Sequence, residues 1–280
     1  MKIFILYIIL FISVIASFAQ VNTTQTKAQL ASTYYRSKEF EKAAPIYLEL
    51  YESTKMLYYF DSYINCLIEN KDYDEAEKAI KKQLRKNKNS SLQITLGIIY
   101  KEKGEKEKST EIFNEIIKEL DDNVGAVTSV ANNFFNRREY EYAEKTYLKG
   151  REIVQGEMFR SNLAYVYAYT RNYTKMMEEY LIMLKEDENQ LPNVEGRLNS
   201  LLRYDFDNSL RKLVKREVLK KIQESPENIV YNRLLIWLFV EEKDYTQALN
   251  QSIALDKRTK NEESNIMGFS ISAAQNNMLD

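Results

Sequence analysis

Hydrophobic residues along most of this chain recur with the spacing of amphipathic helices, and the predicted helices come in pairs. In the first pair the inward positions follow the i, i+3, i+4, i+7 spacing of a helix, whereas a strand would show alternation. These positions are Leu30, Ala31 and Tyr34 on the first helix, and Ala43, Tyr47 and Leu50 on the second. The small side chains of Ala31 and Ala43 permit a close crossing of the two helices. The pattern therefore predicts helical hairpins.

A short motif marks the turn of these hairpins. Five times a charged residue and a polar residue precede an aromatic residue, and in four of the five an alanine follows three places later. The five runs are Lys38-Glu39-Phe40, Lys71-Asp72-Tyr73, Arg138-Glu139-Tyr140, Arg171-Asn172-Tyr173 and Lys243-Asp244-Tyr245. Tyr73 follows Phe40 by 33 residues, and Tyr173 follows Tyr140 by the same interval. A period near 34 residues is typical of helix–turn–helix repeats, which bury their apolar faces only by stacking.

The order of residue types within each repeat resembles the tetratricopeptide repeat family. The first helix (helix A) shows a large, a small and an aromatic residue, and the second (helix B) opens with an aromatic residue and an alanine three places later. The resemblance covers 24–260 in about seven repeats, of which the one at 193–228 is divergent. It implies an all-α, right-handed α-solenoid. Residues 261–280 are predicted to form a capping helix or the start of a further repeat, and we favour a longer repeat protein.

The first nineteen residues have the organisation of a secretory signal peptide. Met1-Lys2 supplies a minimal positive region, an apolar run follows over 3–15, and Ser17-Phe18-Ala19 provides small residues before Gln20. Cleavage after Ala19 predicts an exported, periplasmic protein with no stable membrane insertion of the mature chain. The alternative is an uncleaved anchor, although the apolar run is shorter than the roughly 20 residues that a spanning helix needs.

Charge and composition narrow the possible functions. Lys plus Arg number 40 and Asp plus Glu number 41, which gives a formal net charge of −1 and disfavours a nucleic-acid partner. The basic run at 81–86 is interpreted as the solvated C-terminal end of a helix, with a membrane or nucleic-acid patch as the alternative. The single cysteine, Cys66, is predicted to be a small buried residue and, alternatively, a reactive thiol.

The sequence contains no histidine, which removes imidazole acid–base catalysis, Ser–His and Cys–His pairs, and most zinc or iron sites. Asp205-Phe206-Asp207-Asn208 is similar to the start of a calcium loop but lacks the central glycine, so a helix N-cap is the better interpretation. We therefore predict no catalytic, cofactor-binding or metal-ligating residues, no cofactor, and no enzymatic activity.

The resemblance implies that helix A of each repeat lines a concave groove. The groove-facing residues are then Tyr35, Arg36, Tyr58, Asp61, Asn65, Glu69, Ile98, Lys101, Asn132, Phe135, Asn136, Tyr165, Tyr169, Arg233 and Trp237. Aromatic rings with Arg and Asn are typical of a surface that binds a protein or peptide. The alternative is that Tyr35, Ile98 and Phe135 belong partly to the core between repeats.

Chaperone-binding members of the family hold a C-terminal carboxylate with lysines and asparagines. Asn132 and Asn162 occupy the two asparagine positions, but Thr128, Gly196 and Ser200 replace the cations. The sequence therefore argues against that ligand. We predict a protein–protein interaction scaffold. The alternatives are an assembly or chaperone factor for exported envelope proteins and, less favoured, a carboxylate-dependent envelope hydrolase.

Overall fold

The structure, a computed structural model, describes residues 24–156, 158–260 and 262–275. All regular secondary structure in these ranges is helical. The prediction of an all-α helical-repeat fold is therefore confirmed. Within the same ranges, no helix combines the length and the apolar character needed to cross a bilayer.

The chain divides into two compact units, one ending at Leu120 and one beginning at Asp121. Unit 1 contains α1 (24–36), α2 (Phe40–Thr54), α3 (Leu57–Glu69), α4 (Tyr73–Leu84), α5 (Ser90–Glu102) and α6 (Lys106–Lys118). Unit 2 contains α7 (Val124–Asn136), α8 (Tyr140–Ile153), α9 (Arg160–Tyr169), α10 (Tyr173–Glu186), a 3-10 turn (Glu188–Gln190), α11 (Leu191–Leu202), α12 (Ser209–Glu224), α13 (Ile229–Glu241), α14 (Tyr245–Thr259) and α15 (Glu263–Gln275). Odd-numbered helices up to α13 correspond to helix A and even-numbered ones to helix B.

The charged residue of each turn motif adopts the backbone conformation that ends helix A. Lys38, Lys71, Arg138, Arg171 and Lys243 all have φ between 57° and 64°, the left-handed conformation that ends a helix. The next residue then donates its N–H to a carbonyl five residues earlier, as from Asp72 to Leu67 at 2.8 Å. In the third repeat Gly104 adopts this conformation, with φ of 84°. The motif thus closes helix A and starts helix B.

Small buried residues allow the helices of a hairpin to approach closely, as the sequence predicted. The fully buried alanines are Ala31, Ala43, Ala76, Ala131, Ala143, Ala164 and Ala248. In the third repeat Gly97 takes this role, because a Cβ there would lie 2.2 Å from Cε1 of Phe113. Cys66 is also fully buried, and burial raises the pKa of its thiol to about 11, which agrees with a packing role.

One predicted core position is wrong. Leu30 is 45% exposed, although the matching residue of α9, Leu163, is fully buried. Leu30 is adjacent to Ala31 and therefore points about 100° away from the crossing with α2. In α9 the preceding helix α8 is available to cover such a residue, whereas α1 is the first helix in the described ranges.

The divergent sixth repeat differs in packing as well as in sequence. Its second helix, α12, packs against α10 and α13, while α11 packs against α13. Asp205 in the preceding turn accepts the N–H groups of Leu210 and Arg211 at 3.0 and 2.7 Å. The helix-cap interpretation of this acidic turn is confirmed, because the carboxylate satisfies donors in the first turn of α12.

Candidate functional site

In unit 1 the four predicted binding residues of α3 lie along one stripe of that helix. Tyr58, Asp61 and Glu69 on α3 are exposed and Asn65 is half-buried, so the predicted stripe is present. Tyr35 on α1 packs edge-on against Phe40, with ring centroids 5.2 Å apart.

The remaining predicted residues of unit 1 are divided between surface and interior. Arg36 and Lys101 are exposed, whereas Ile98 is half-buried. Tyr35 packs against the buried cluster of unit 1, as the alternative interpretation of that residue expected.

In unit 2 the predicted aromatic residues come together. The rings of Phe135 on α7 and of Tyr165 and Tyr169 on α9 have centroids 4.8 to 5.4 Å apart, and Tyr140 joins them at the start of α8. Tyr165 is 46% exposed and Tyr169 is 55% exposed. These four residues are here called the aromatic cluster, and two of its rings are open to solvent.

A hydrogen-bonded chain of three side chains lies beside the aromatic cluster. The hydroxyl of Tyr147 donates to Oδ1 of Asn132 at 3.0 Å, and Nδ2 of Asn162 donates to that hydroxyl at 3.2 Å. Tyr147 is only 2% exposed, and its burial raises the pKa of the phenol. The phenol therefore stays neutral and holds both amides at fixed positions.

A cavity of about 270 Å³ opens between these groups. Its lining comes from four helices and consists of Asn132, Phe135, Tyr147, Ser161, Asn162, Tyr165, Val166 and Arg197. Arg197, on α11, donates from Nε to Oδ1 of Asn193 at 3.0 Å. In the described part of the chain the lining has this one charged side chain and no carboxylate, so the cavity suits a ligand with a hydrogen-bond acceptor or a negative charge.

The three other predicted residues of unit 2, Asn136, Arg233 and Trp237, belong neither to the aromatic cluster nor to the lining of the cavity. Arg233 on α13 forms ion pairs with Glu188 and with the buried Glu262, both at 3.5 Å. Trp237 is half-buried, and Asn136 is exposed at the end of α7. Arg233 is therefore already bound within the protein, whereas Asn132, Phe135 and Tyr165 line the cavity.

Five residues that line the cavity were not among the predicted binding residues, namely Tyr147, Ser161, Asn162, Val166 and Arg197. Tyr147 was expected only in the core, because its position in helix B predicts burial. Asn162 was noted for its position in the repeat, and the structure adds its bond to Tyr147. Arg197 lies in the divergent repeat, where the family register pointed instead to Gly196 and Ser200.

The known proteins found by comparison are only distantly similar to this one. No protein-family model matches the sequence, and no curated protein is significantly similar to it. Among solved structures, a tetratricopeptide repeat protein from Parabacteroides merdae is 13% identical, with 90% of this chain and 98% of that chain covered and a TM-score of 0.33. The C-terminal part of a repeat protein from Cytophaga hutchinsonii is 16% identical, with 86% and 98% covered and a TM-score of 0.33.

A third similar structure is the TPR2AB domain of yeast Sti1 in complex with a peptide of HSP90. It is 16% identical, with 90% of this chain and 99% of that chain covered and a TM-score of 0.32. Similarities this distant identify neither a family nor a ligand, so the function has to be argued from the side chains of this protein.

One acidic pair also has unusual electrostatics. Glu195 on α11 is half-buried, and desolvation together with the charge of Glu241 on α13 raises its carboxyl pKa to about 7. Glu195 is not among the residues that line the cavity. Within the described ranges, no group of three or more acidic or cysteine side chains is arranged to hold a metal ion.

Proposed function

We propose that this protein is an interaction scaffold that binds an extended segment of a protein partner on the helix-A face of unit 2. The observation that carries the proposal is the aromatic cluster, with Tyr165 and Tyr169 exposed, directly beside the fixed amides of Asn132 and Asn162. Large exposed rings that are already packed together lose little conformational freedom when a partner binds.

The cavity offers distinct contacts for the backbone and the side chains of such a segment. The Asn132 amide nitrogen is not used in the bond to Tyr147 and can donate to a backbone carbonyl. Arg197, which also lines the cavity, can bind a carboxylate or a carbonyl oxygen. The rings of Phe135 and Tyr165 then provide contact area for an apolar side chain. A cavity without a carboxylate disfavours acid–base hydrolysis as its function, and the formal net charge of −1 disfavours a nucleic-acid partner.

Selection from a displayed peptide library, followed by affinity measurement, tests this proposal. We expect the double variant Tyr165→Ser, Tyr169→Ser to bind a selected peptide at least about tenfold more weakly than the parent, because aromatic side chains dominate such interfaces. The matched control is Tyr204→Ser, Phe206→Ser, which removes two rings that are 76% and 89% exposed but lie in the turn before α12.

The control should leave the affinity within about twofold. Equal weakening in both double variants would mean that the peptide binds exposed rings without selectivity. An unchanged affinity in the first variant would show that the partner surface lies elsewhere. Circular dichroism of each variant confirms that the helical content is preserved.

We propose further that the protein is exported and acts in the bacterial envelope. The support comes from the signal-peptide organisation of 1–19, which lies outside the described residues. Expressed in a Gram-negative host, the protein should appear in the periplasm with Gln20 as its first residue. Mass spectrometry that finds an intact Met1 in the membrane fraction would contradict cleavage.

A further inference from the structure

A second surface, on unit 1, is formed between helices α2 and α4. These are consecutive B helices, and the groove between them encloses about 400 Å³. Its floor is apolar and is formed by Leu48 and Tyr51 from α2, Phe60 and Tyr63 from α3, and Ala79 from α4. The groove therefore belongs to the helix-B side and involves none of the residues predicted for the helix-A face.

Tyr51, in the floor of the groove, is held in place by two side-chain contacts. The Tyr51 hydroxyl donates to Oε1 of Gln83 at 2.9 Å, and the rings of Tyr51 and Phe60 lie 5.0 Å apart. Leu48, Tyr51 and Ala79 remain half-buried, so part of the apolar floor is open to solvent. A protruding apolar side chain of a partner could be buried there.

The rims of the groove carry a local excess of positive charge. Lys55, Lys78, Lys82 and Lys86 line the groove and are exposed, against Glu52 and Glu75. Over 78–101 the sequence contains Lys and Arg but no Asp or Glu, although the whole chain is nearly neutral. In this groove, lysines from the basic run of α4 therefore lie next to an apolar floor.

These rim cations are weakly neutralised within the protein. Lys78 has its carboxylate partner, Glu75, only at 4.0 Å, and Lys55 lies 5.9 Å from the centroid of the Tyr51 ring. Among the ion pairs of the described ranges, none engages Lys82 or Lys86. By contrast, Lys81, which does not line the groove, pairs with Glu77 at 2.7 Å.

We propose that this α2–α4 groove binds an acidic amphipathic helix of a protein partner. The carboxylates of such a helix would face Lys82 and Lys86, and its apolar side chains would enter the floor between Tyr51 and Ala79. A recessed apolar floor favours this occupant over nucleic acid, whose phosphates offer no apolar side chain. It also favours a helix over a bilayer surface, which presents no projecting group to fill a groove.

Fluorescence anisotropy with designed peptides tests this proposal. The probe is a labelled amphipathic peptide with leucine on one helical face and glutamate elsewhere. One comparison peptide replaces each glutamate by lysine, and the other replaces each leucine by serine. We expect saturable binding of the first peptide and at least about tenfold weaker binding of both comparisons, with affinity that falls as salt rises.

Protein variants then locate the site. Lys82→Glu, Lys86→Glu should weaken binding of the acidic peptide by about tenfold or more. The control Lys106→Glu, Lys118→Glu makes the same change of charge at two exposed positions on α6 and should change binding less than about threefold. All of these positions are on the surface, so thermal unfolding midpoints should stay close to the parent.

Three results would overturn the proposal. If both charge-reversal variants lose the same affinity for the acidic peptide, the overall charge of the protein attracts the peptide and the groove is not its binding site. Unchanged binding of the serine-substituted peptide would show that the apolar floor is unused. Tighter binding of a single-stranded oligonucleotide or of vesicles containing anionic lipid would assign the basic rim to a different class of partner.

Discussion

Replacing Ala143 with tryptophan is expected to lower the free energy of unfolding by roughly 1–3 kcal/mol or more, because the new ring overpacks a closed helix crossing. Ala143 is fully buried on α8, in a hairpin with α7, where Val130 and Ala131 are also buried. The side chain has no route to solvent without separating the two helices. Chemical denaturation, followed by far-ultraviolet circular dichroism, measures the change.

The matched control places the same residue on the outer side of the same helix. Leu148 is 37% exposed on α8, and Leu148→Trp should alter the free energy of unfolding by no more than about 0.5 kcal/mol. If Ala143→Trp is as stable as the parent, the repeat register that places Ala143 at the crossing is wrong. A loss of equal size in both variants would point to an effect of tryptophan itself.

Gly97→Val is expected to have a similarly large effect, with a loss of roughly 1–3 kcal/mol or more. A Cβ at Gly97 would lie 2.2 Å from Cε1 and 2.8 Å from Cδ1 of Phe113, whose ring is 1% exposed and cannot move aside. Phe113 would have to leave its place in the α5–α6 hairpin. Denaturant titration of the purified variant gives the free energy directly.

Gly196 provides a control, because the space around it is open. It also lies inside a helix, α11, but an added Cβ there would have no atom within 4 Å. Gly196→Val should therefore leave the stability equal to the parent or slightly higher, since valine has a better helix propensity than glycine. Equal destabilisation at Gly97 and Gly196 would contradict the close contact with Phe113.

Much of the fold could be predicted from the sequence, because five of the repeats carry the same turn motif. The charged residue before each turn adopts the left-handed conformation, and the alanine three places beyond the aromatic is buried at the crossing, as at Ala76 and Ala248. The failure at Leu30 has a physical cause. Periodicity shows which residues share a face of one helix, but burial also requires a neighbouring helix to cover them.

Some residues of the candidate site could be predicted from the sequence, but their assembly into one site could not. Phe135, Tyr165 and Tyr169 followed from the helix-A pattern, whereas their ring contacts depend on how α7 and α9 pack. The Tyr147 hydroxyl is a buried polar group whose partners come from two other helices. Arg197 was missed because the divergent turn at Asp205 gives no reliable register for α11.

The basic run at 81–86 is a further feature whose position could be predicted from the sequence but whose surroundings could not. The sequence explains its position at a helix C-terminus, where cations are favoured. Only the structure places Lys82 and Lys86 beside the apolar floor contributed by α2 and α3. Residues more than twenty positions apart make that groove, and no local motif describes it.

Site-specific photo-crosslinking in the source cells tests most directly the central claim that the helix-A face of unit 2 binds a protein partner. A photoreactive benzoylphenylalanine replaces Tyr165 in one strain and the exposed Tyr204 in another. The proposed function predicts a discrete crosslinked product with another protein from position 165 and none from position 204. A product from position 204 alone, or no product from either, would contradict it.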